Sequence, residues 1–122
     1  MSSAAEAVRL VGEAASDPRL EALDPLRRLL GSEGFRDLVC LFLQEGGRRL
    51  EALGLGFARQ DRAAVALEAH AFKGCSASFG ARDLAALCAR LEAQAKSGGL
   101  DGDAFDALAA EFRILSDLLA PG

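Results

Sequence analysis

The chain has no tryptophan and no tyrosine, one methionine, three prolines and a single histidine among its 122 residues. Isoleucine, valine and threonine are scarce, whereas alanine and leucine dominate. Few sheet-favouring side chains and many good helix formers predict an all-α protein. Positive charge is not in surplus either: 14 Lys and Arg stand against 18 Asp and Glu, a net charge of −4. No basic stripe is available to displace phosphate counterions, which argues against a nucleic-acid partner. Long hydrophobic runs are missing, so no membrane span is expected, and Met1-Ser2-Ser3-Ala4-Ala5-Glu6 has neither the basic start nor the apolar run of a signal peptide. The three cysteines, Cys40, Cys75 and Cys88, are odd in number, widely spaced and set among apolar residues. They read as reduced thiols acting as small core residues, and cytoplasmic residence is expected from them.

At this length one domain with a single hydrophobic core is expected. Residues 1–31 read as a helical arm packing on the rest. Ala4 to Ala15 is weakly amphipathic through Val8, Val11 and Ala15, and Asp17-Pro18 interrupts it. Asp24-Pro25 predicts an N-cap followed by proline at the first helical position, and Gly31 closes that short segment. Residues 32–122 form the bundle proper. Ser32 is a possible cap for a helix carrying Phe35, Leu38, Val39, Phe42, Leu50 and Leu53 at helical spacing. Gly46-Gly47, Gly54 and Gly56 predict a bend or early fraying in its second half. Asp61 caps the next helix, which ends near Gly80. Asp83, Leu84, Leu87, Cys88, Leu91 and Ala95 trace another, and Ser97-Gly98-Gly99 is a turn. Asp101 or Asp103 starts the last, striped by Phe105, Leu108, Ala109, Phe112, Leu115 and Leu119. Four amphipathic helices on short connections bury their stripes most economically as an antiparallel up-down-up-down four-helix bundle, here with the additional N-terminal helical arm.

The lone histidine, His70, lies in the middle of the second predicted helix of the bundle, the one capped by Asp61, with Lys73 and Gly74 following it. At about 100° per residue, Val65, Ala69, Phe72, Ser76 and Phe79 share one stripe roughly 80° wide, and His70 lies about 140° from its centre. Ala63, Ala66, Gly74 and Ala77 surround the histidine within about 40°, while Lys73 and Leu67 sit about 60° away on opposite sides. The imidazole therefore faces solvent on a platform of small side chains, beside one cation and one exposed leucine. A mid-helix glycine costs roughly 1 kcal/mol against alanine, and an open surface around a nucleophile is a reason to keep it. Such a patch suits a histidine that accepts a phosphoryl group from a docked protein.

The run His70-x-x-Lys73-Gly74-x-Ser76-x-x-Phe79-Gly80-Ala81-x-x-Leu84-x-x-Leu87-Cys88-x-x-Leu91-Glu92 resembles the histidine-containing phosphotransfer (HPt) domains of bacterial two-component phosphorelays. The helix around Leu38-Val39-Cys40-Leu41-Phe42-Leu43 and the cap at Asp61 are similar too, so the resemblance extends from Leu26 to Leu119. It implies the four-helix bundle with an extra N-terminal helix. It implies His70 as the phosphorylated residue, Lys73 as the lysine that helps hold the phosphoryl oxygens, and Gly74 as the glycine that leaves room for them. Glu92 stands where the family often has Gln or Glu near the histidine. Cys75 replaces the commoner Ser or Ala, and Ser78 the frequent Asn.

The resemblance further implies a stoichiometric carrier rather than an enzyme, exchanging phosphate with response-regulator receiver domains, including that of a hybrid histidine kinase. The chain is expected to bind no cofactor, with the magnesium ion on the receiver, and to be a monomer. Ala63, Ala66, Leu67 and Ala77 are the expected partner-binding residues. A neutral imidazole nitrogen, Nε2, would attack the aspartyl phosphate, with Lys73 offsetting charge and Glu92 accepting a hydrogen bond from the other ring nitrogen. For Glu92 an exposed helix carboxylate is an equal expectation. Rival readings are weaker. No glycine-rich nucleotide loop supports an ATP-using enzyme, and the spacing of His70, Cys40, Cys75 and Cys88 fits no zinc pattern. A binding-only adaptor that docks a receiver or kinase is the main alternative.

Overall fold

The computed structural model describes residues 17–120. Among these there is no strand, and five helices follow one another: α1 Pro18–Glu21, α2 Asp24–Ala58, α3 Arg62–Phe79, α4 Arg82–Ser97 and α5 Gly102–Leu119. The amphipathic segment expected over residues 4–15 lies outside the described residues. Each long helix packs on the next, and α2 also meets α5, so the four close into a ring around one core. This is the expected all-α, up-down-up-down four-helix bundle.

Most helix ends follow the local chemistry of the sequence. The Asp61 carboxylate accepts from the Ala64 N–H at 3.0 Å and opens α3. Gly80 closes it with φ 98°, and the Gly80 and Ala81 N–H groups satisfy the last carbonyls at Ala77 and Ser76. Asp101 caps α5 through the Asp103 and Ala104 N–H groups. Gly31 interrupts α2 with φ 74° and ψ 173°, so residues 24–30 and 32–58 meet at a kink.

Several expectations need correction. Asp24 is not a cap: Leu23 precedes the helix, Asp24 is its first residue, and no side chain caps it. Leu23 turns inward and is fully buried, its Cδ2 lying where a Cβ on Gly80 would come within 3.2 Å. The second half of α2 does not fray but runs unbroken to Ala58. Two of its glycines are places of close approach. A Cβ on Gly46 would lie 2.4 Å from Phe112 Cε1, and one on Gly56 would lie 2.8 Å from Val65 Cγ2. Packing that α2 gains by letting α5 and α3 come so near offsets the helix propensity those glycines lack. Gly47 has open space around it, and Gly54 meets only Phe105 at an ordinary distance. Finally, all three thiols are free, but only Cys88 is a core residue; Cys75 is half-buried and Cys40 is exposed.

The core is built on aromatic pairs that tie the helices together. Phe42 of α2 stacks on Phe79 of α3 with ring centroids 4.1 Å apart, and Phe72 of α3 meets Phe112 of α5 edge-on at 5.8 Å. Leu84, Cys88 and Leu91 of α4 and Leu108 and Leu115 of α5 fill the remaining interior. The segment before α2 is tied to the bundle by charge as well as by Leu23. Arg19 Nε and Nη2 donate to the two carboxylate oxygens of Glu111 at 2.7 and 2.9 Å, a two-pronged pair on a buried acid.

Candidate functional site

On α3 the buried residues are Val65, Ala69, Phe72, Ser76 and Phe79, the stripe expected from helical periodicity. With that stripe in the core, His70 is carried to the outside, where its side chain is 64% exposed. Around it Ala63, Ala77 and Gly74 are exposed and Ala66 is half-buried. A Cβ placed on Gly74 would meet nothing within 4 Å, so the space beside the imidazole is open. Leu67 is 70% exposed, an apolar side chain with no covering element on this face of the described residues.

The turn at Gly80 decides what stands opposite the histidine. His70 and Glu92 are 22 residues apart, and Ala81 lies midway between them, so an antiparallel α3–α4 pair brings both to the same level. His70 Nδ1 is 2.9 Å from Glu92 Oε2. Lys73 Nζ, one turn nearer the Gly80 end, donates to Glu92 Oε1 at 2.8 Å. Lys96 Nζ, one turn beyond Glu92 on α4, donates to Oε2 at 2.8 Å. The carboxylate is thus a hub, only 7% exposed, with three partners. The expectation of a solvent-facing Glu92 is therefore excluded, and the expectation of a ring contact matches the geometry. Lys73 differs from the simple expectation: its ammonium group already engages Glu92 and has 36% of its side chain exposed.

Electrostatically the hub is an ionised carboxylate. Hydrogen bonds from Lys73 and then Lys96 outweigh the opposing effect of burial, and with the His70 contact they bring the Glu92 pKa down from 4.5 to about 2. An ionised carboxylate only accepts, so its bond to His70 requires the proton on Nδ1. In the neutral ring the lone pair then sits on Nε2, the nitrogen directed away from Glu92. Position, tautomer and open space combine to leave Nε2 accessible, while two ammonium groups are held on the carboxylate behind the ring. Elsewhere, burial pushes the Cys88 thiol up to about 12, so it stays protonated beneath the site. Among the described residues no three His, Cys, Asp or Glu side chains converge as a metal site, and no helix is long and apolar enough to cross a membrane.

Lys96 escaped the sequence reading. The signal for it was present, because Glu92 and Lys96 are an i, i+4 acid–base pair in the favourable order.

Comparisons with known proteins agree with this fold. The family model described as the Hpt domain matches residues 37–118. Among solved structures, the crystal structure of histidine-containing phosphotransfer protein B (HptB) from Pseudomonas aeruginosa PAO1 is similar, with a TM-score of 0.77 and 30% sequence identity. That match covers 85% of this chain and 93% of the other. A search of curated proteins finds no match.

Proposed function

Because this chain belongs to the Hpt domain family, whose members carry phosphoryl groups on histidine in phosphorelays, we propose that it takes a phosphoryl group onto His70 from a receiver-domain aspartyl phosphate and passes it to a second receiver aspartate. The observation that carries this reading is the Nδ1 contact to buried Glu92, which leaves Nε2 bare beside Gly74.

In the forward step the Nε2 lone pair attacks phosphorus in line with the P–O bond to the receiver aspartate. The N–P bond forms, the P–O bond breaks, and the aspartate leaves as a carboxylate. The ring now carries a positive charge, with its proton still on Nδ1 and shared with Glu92 Oε2. Glu92 thereby stabilises the charged ring in the direction of acceptance. Lys73 supplies positive charge to the phosphoryl oxygens. Phosphoryl transfer asks mainly for such positioning and charge stabilisation. The reverse step, toward a different receiver, uses the same atoms. In this reading the chain is a shuttle with no ATP-dependent kinase activity, the magnesium ion belongs to the receiver, and a monomer suffices because each chain offers one acceptor. Ala63, Ala66, Leu67 and Ala77 form the rim on which a receiver, that of a hybrid histidine kinase among them, would seat its own apolar surface.

The test is to mix the protein with a pre-phosphorylated receiver and assay for label on this chain. Acid-labile, alkali-stable label that is lost in His70→Gln is the expected result. Since His70 is on the surface, that variant should keep its stability within about 0.5 kcal/mol. Docking without any label would overturn the carrier reading and leave a binding-only adaptor.

A further inference from the structure

Glu92 presents an electrostatic problem. It is a nearly buried, ionised carboxylate in contact with the very ring that is read above as the phosphoryl carrier. A phosphoryl group on Nε2 brings further negative charge into the same few ångströms, and like charges at that range oppose each other. Lys73 is held on Oε1, the oxygen facing the Gly80 end. If its ammonium group turns toward phosphoryl oxygens, it no longer fully neutralises Glu92. The carboxylate then depends on what holds its other oxygen.

That oxygen, Oε2, is shared by His70 Nδ1 and Lys96 Nζ. Lys96 lies on α4, one turn from Glu92 and on the side away from Lys73, so the two lysines straddle the carboxylate along the helix axis. Two ammonium groups against one carboxylate leave one positive charge in excess at the histidine. Without Lys96 the excess disappears. The side chain of Lys96 is 65% exposed, yet its ammonium group is directed onto the buried oxygen instead of into water.

We propose that Lys96 is a positioning residue for phosphotransfer, acting through Glu92: it remains the counter-ion of that carboxylate when Lys73 turns to the phosphoryl group, and so keeps a hydrogen-bond acceptor on Nδ1 without a net negative charge beside phosphohistidine. This rests on the reading of His70 as the phosphoryl acceptor. Lys96 need not touch the phosphoryl group. Its effect on phosphate is conditional on Glu92, which separates it from a lysine that binds phosphate directly.

The experiment measures how phosphate partitions at equilibrium between a pre-phosphorylated receiver and this chain. It compares the wild type with Lys96→Gln, Lys96→Arg, Glu92→Gln and the double variant Lys96→Gln/Glu92→Gln. Loss of one nearby charge in a screened, partly aqueous site shifts such a partition by roughly threefold to tenfold. Lys96→Gln should therefore move phosphate toward the receiver by that factor, and Lys96→Arg should restore it. In the Glu92→Gln background the same Lys96→Gln change should shift the partition by less than about twofold, because the carboxylate that needed neutralising is gone. Thermal melts of each variant report any structural loss separately. An unchanged partition in Lys96→Gln overturns the proposal. A full shift in the Glu92→Gln background also overturns it, since Lys96 would then act on phosphate directly. Absence of label on the wild type, or label that persists in His70→Gln, instead refutes the reading of His70 and this inference with it.

Discussion

The Glu92 hub makes a prediction about stability that requires no partner protein. On folding, the carboxyl pKa falls from 4.5 to about 2, chiefly through hydrogen bonds from Lys73 and Lys96. A group whose pKa is depressed in the folded state binds fewer protons there than in the unfolded chain. Its contribution is therefore fully present above the unfolded value, near 4.5, and is lost as pH falls toward 2. A displacement of this size corresponds to a ceiling of about 3 kcal/mol. The side chains of Lys73 and Lys96 are 36% and 65% exposed, so water and salt screen their part of it, and about 1–2 kcal/mol is expected. Glu92→Gln keeps the shape and removes the titration. Urea unfolding of both proteins, repeated from about pH 7 down to about pH 2, isolates the effect in the difference between them. Glu45, whose pKa is also lowered in the fold, titrates in both proteins and drops out of that difference. The wild type should lead by about 1–2 kcal/mol at neutral pH, with the lead closing between about pH 4.5 and 2. A lead that stays constant through that window, or no lead at neutral pH, refutes the hub as an ionised and stabilising carboxylate.

Further predictions concern packing. Gly46→Ala should lower stability by about 1–2 kcal/mol in urea unfolding, because its Cβ would come within 2.4 Å of Phe112 and force that ring out of place. Gly47→Ala, one residue along with open space around it, should instead gain up to about 1 kcal/mol. Gly74→Ala should likewise raise the melting temperature, since nothing lies within 4 Å of the added carbon, while Gly74→Gln should slow label uptake from a phosphorylated receiver. Leu23→Ala should cost about 2–4 kcal/mol, measured by urea unfolding, because its fully buried side chain leaves a cavity where the chain before α2 meets the Gly80 turn.

What was legible in the sequence was what local chemistry determines. The stripe from Val65 to Phe79 is dictated by helical periodicity alone, and that stripe orients His70. Asp61, Gly80 and Asp101 act at helix ends through their own side chains or backbone freedom, which neighbours in space do not alter. Glu92 was ambiguous because its burial depends on how α4 lies along α3, a tertiary quantity. Gly46 and Gly56 looked like weak points because propensity registers the missing side chain but not the Phe112 ring or the Val65 methyl that fills its place. Cys40 was read as core because it stands among apolar residues, although one step along the helix from buried Val39 is enough to rotate its side chain out to solvent. Asp24 was read as a cap because Asp-Pro favours that role, but burial of Leu23 draws the start of the helix back by one position.

The midpoint turn at Gly80 has one more consequence. Every group assigned to phosphate chemistry, from His70 through Lys96, lies on a single hairpin of two helices, whereas α2 and α5 contribute support. The reactive constellation is therefore modular. Under the proposed function the rim that would seat a receiver, Ala63, Ala66, Leu67 and Ala77, lies on that same hairpin, so a substitution there reaches partner choice and chemistry together, whereas a substitution in α2 or α5 reaches them only through the packing that supports the hairpin.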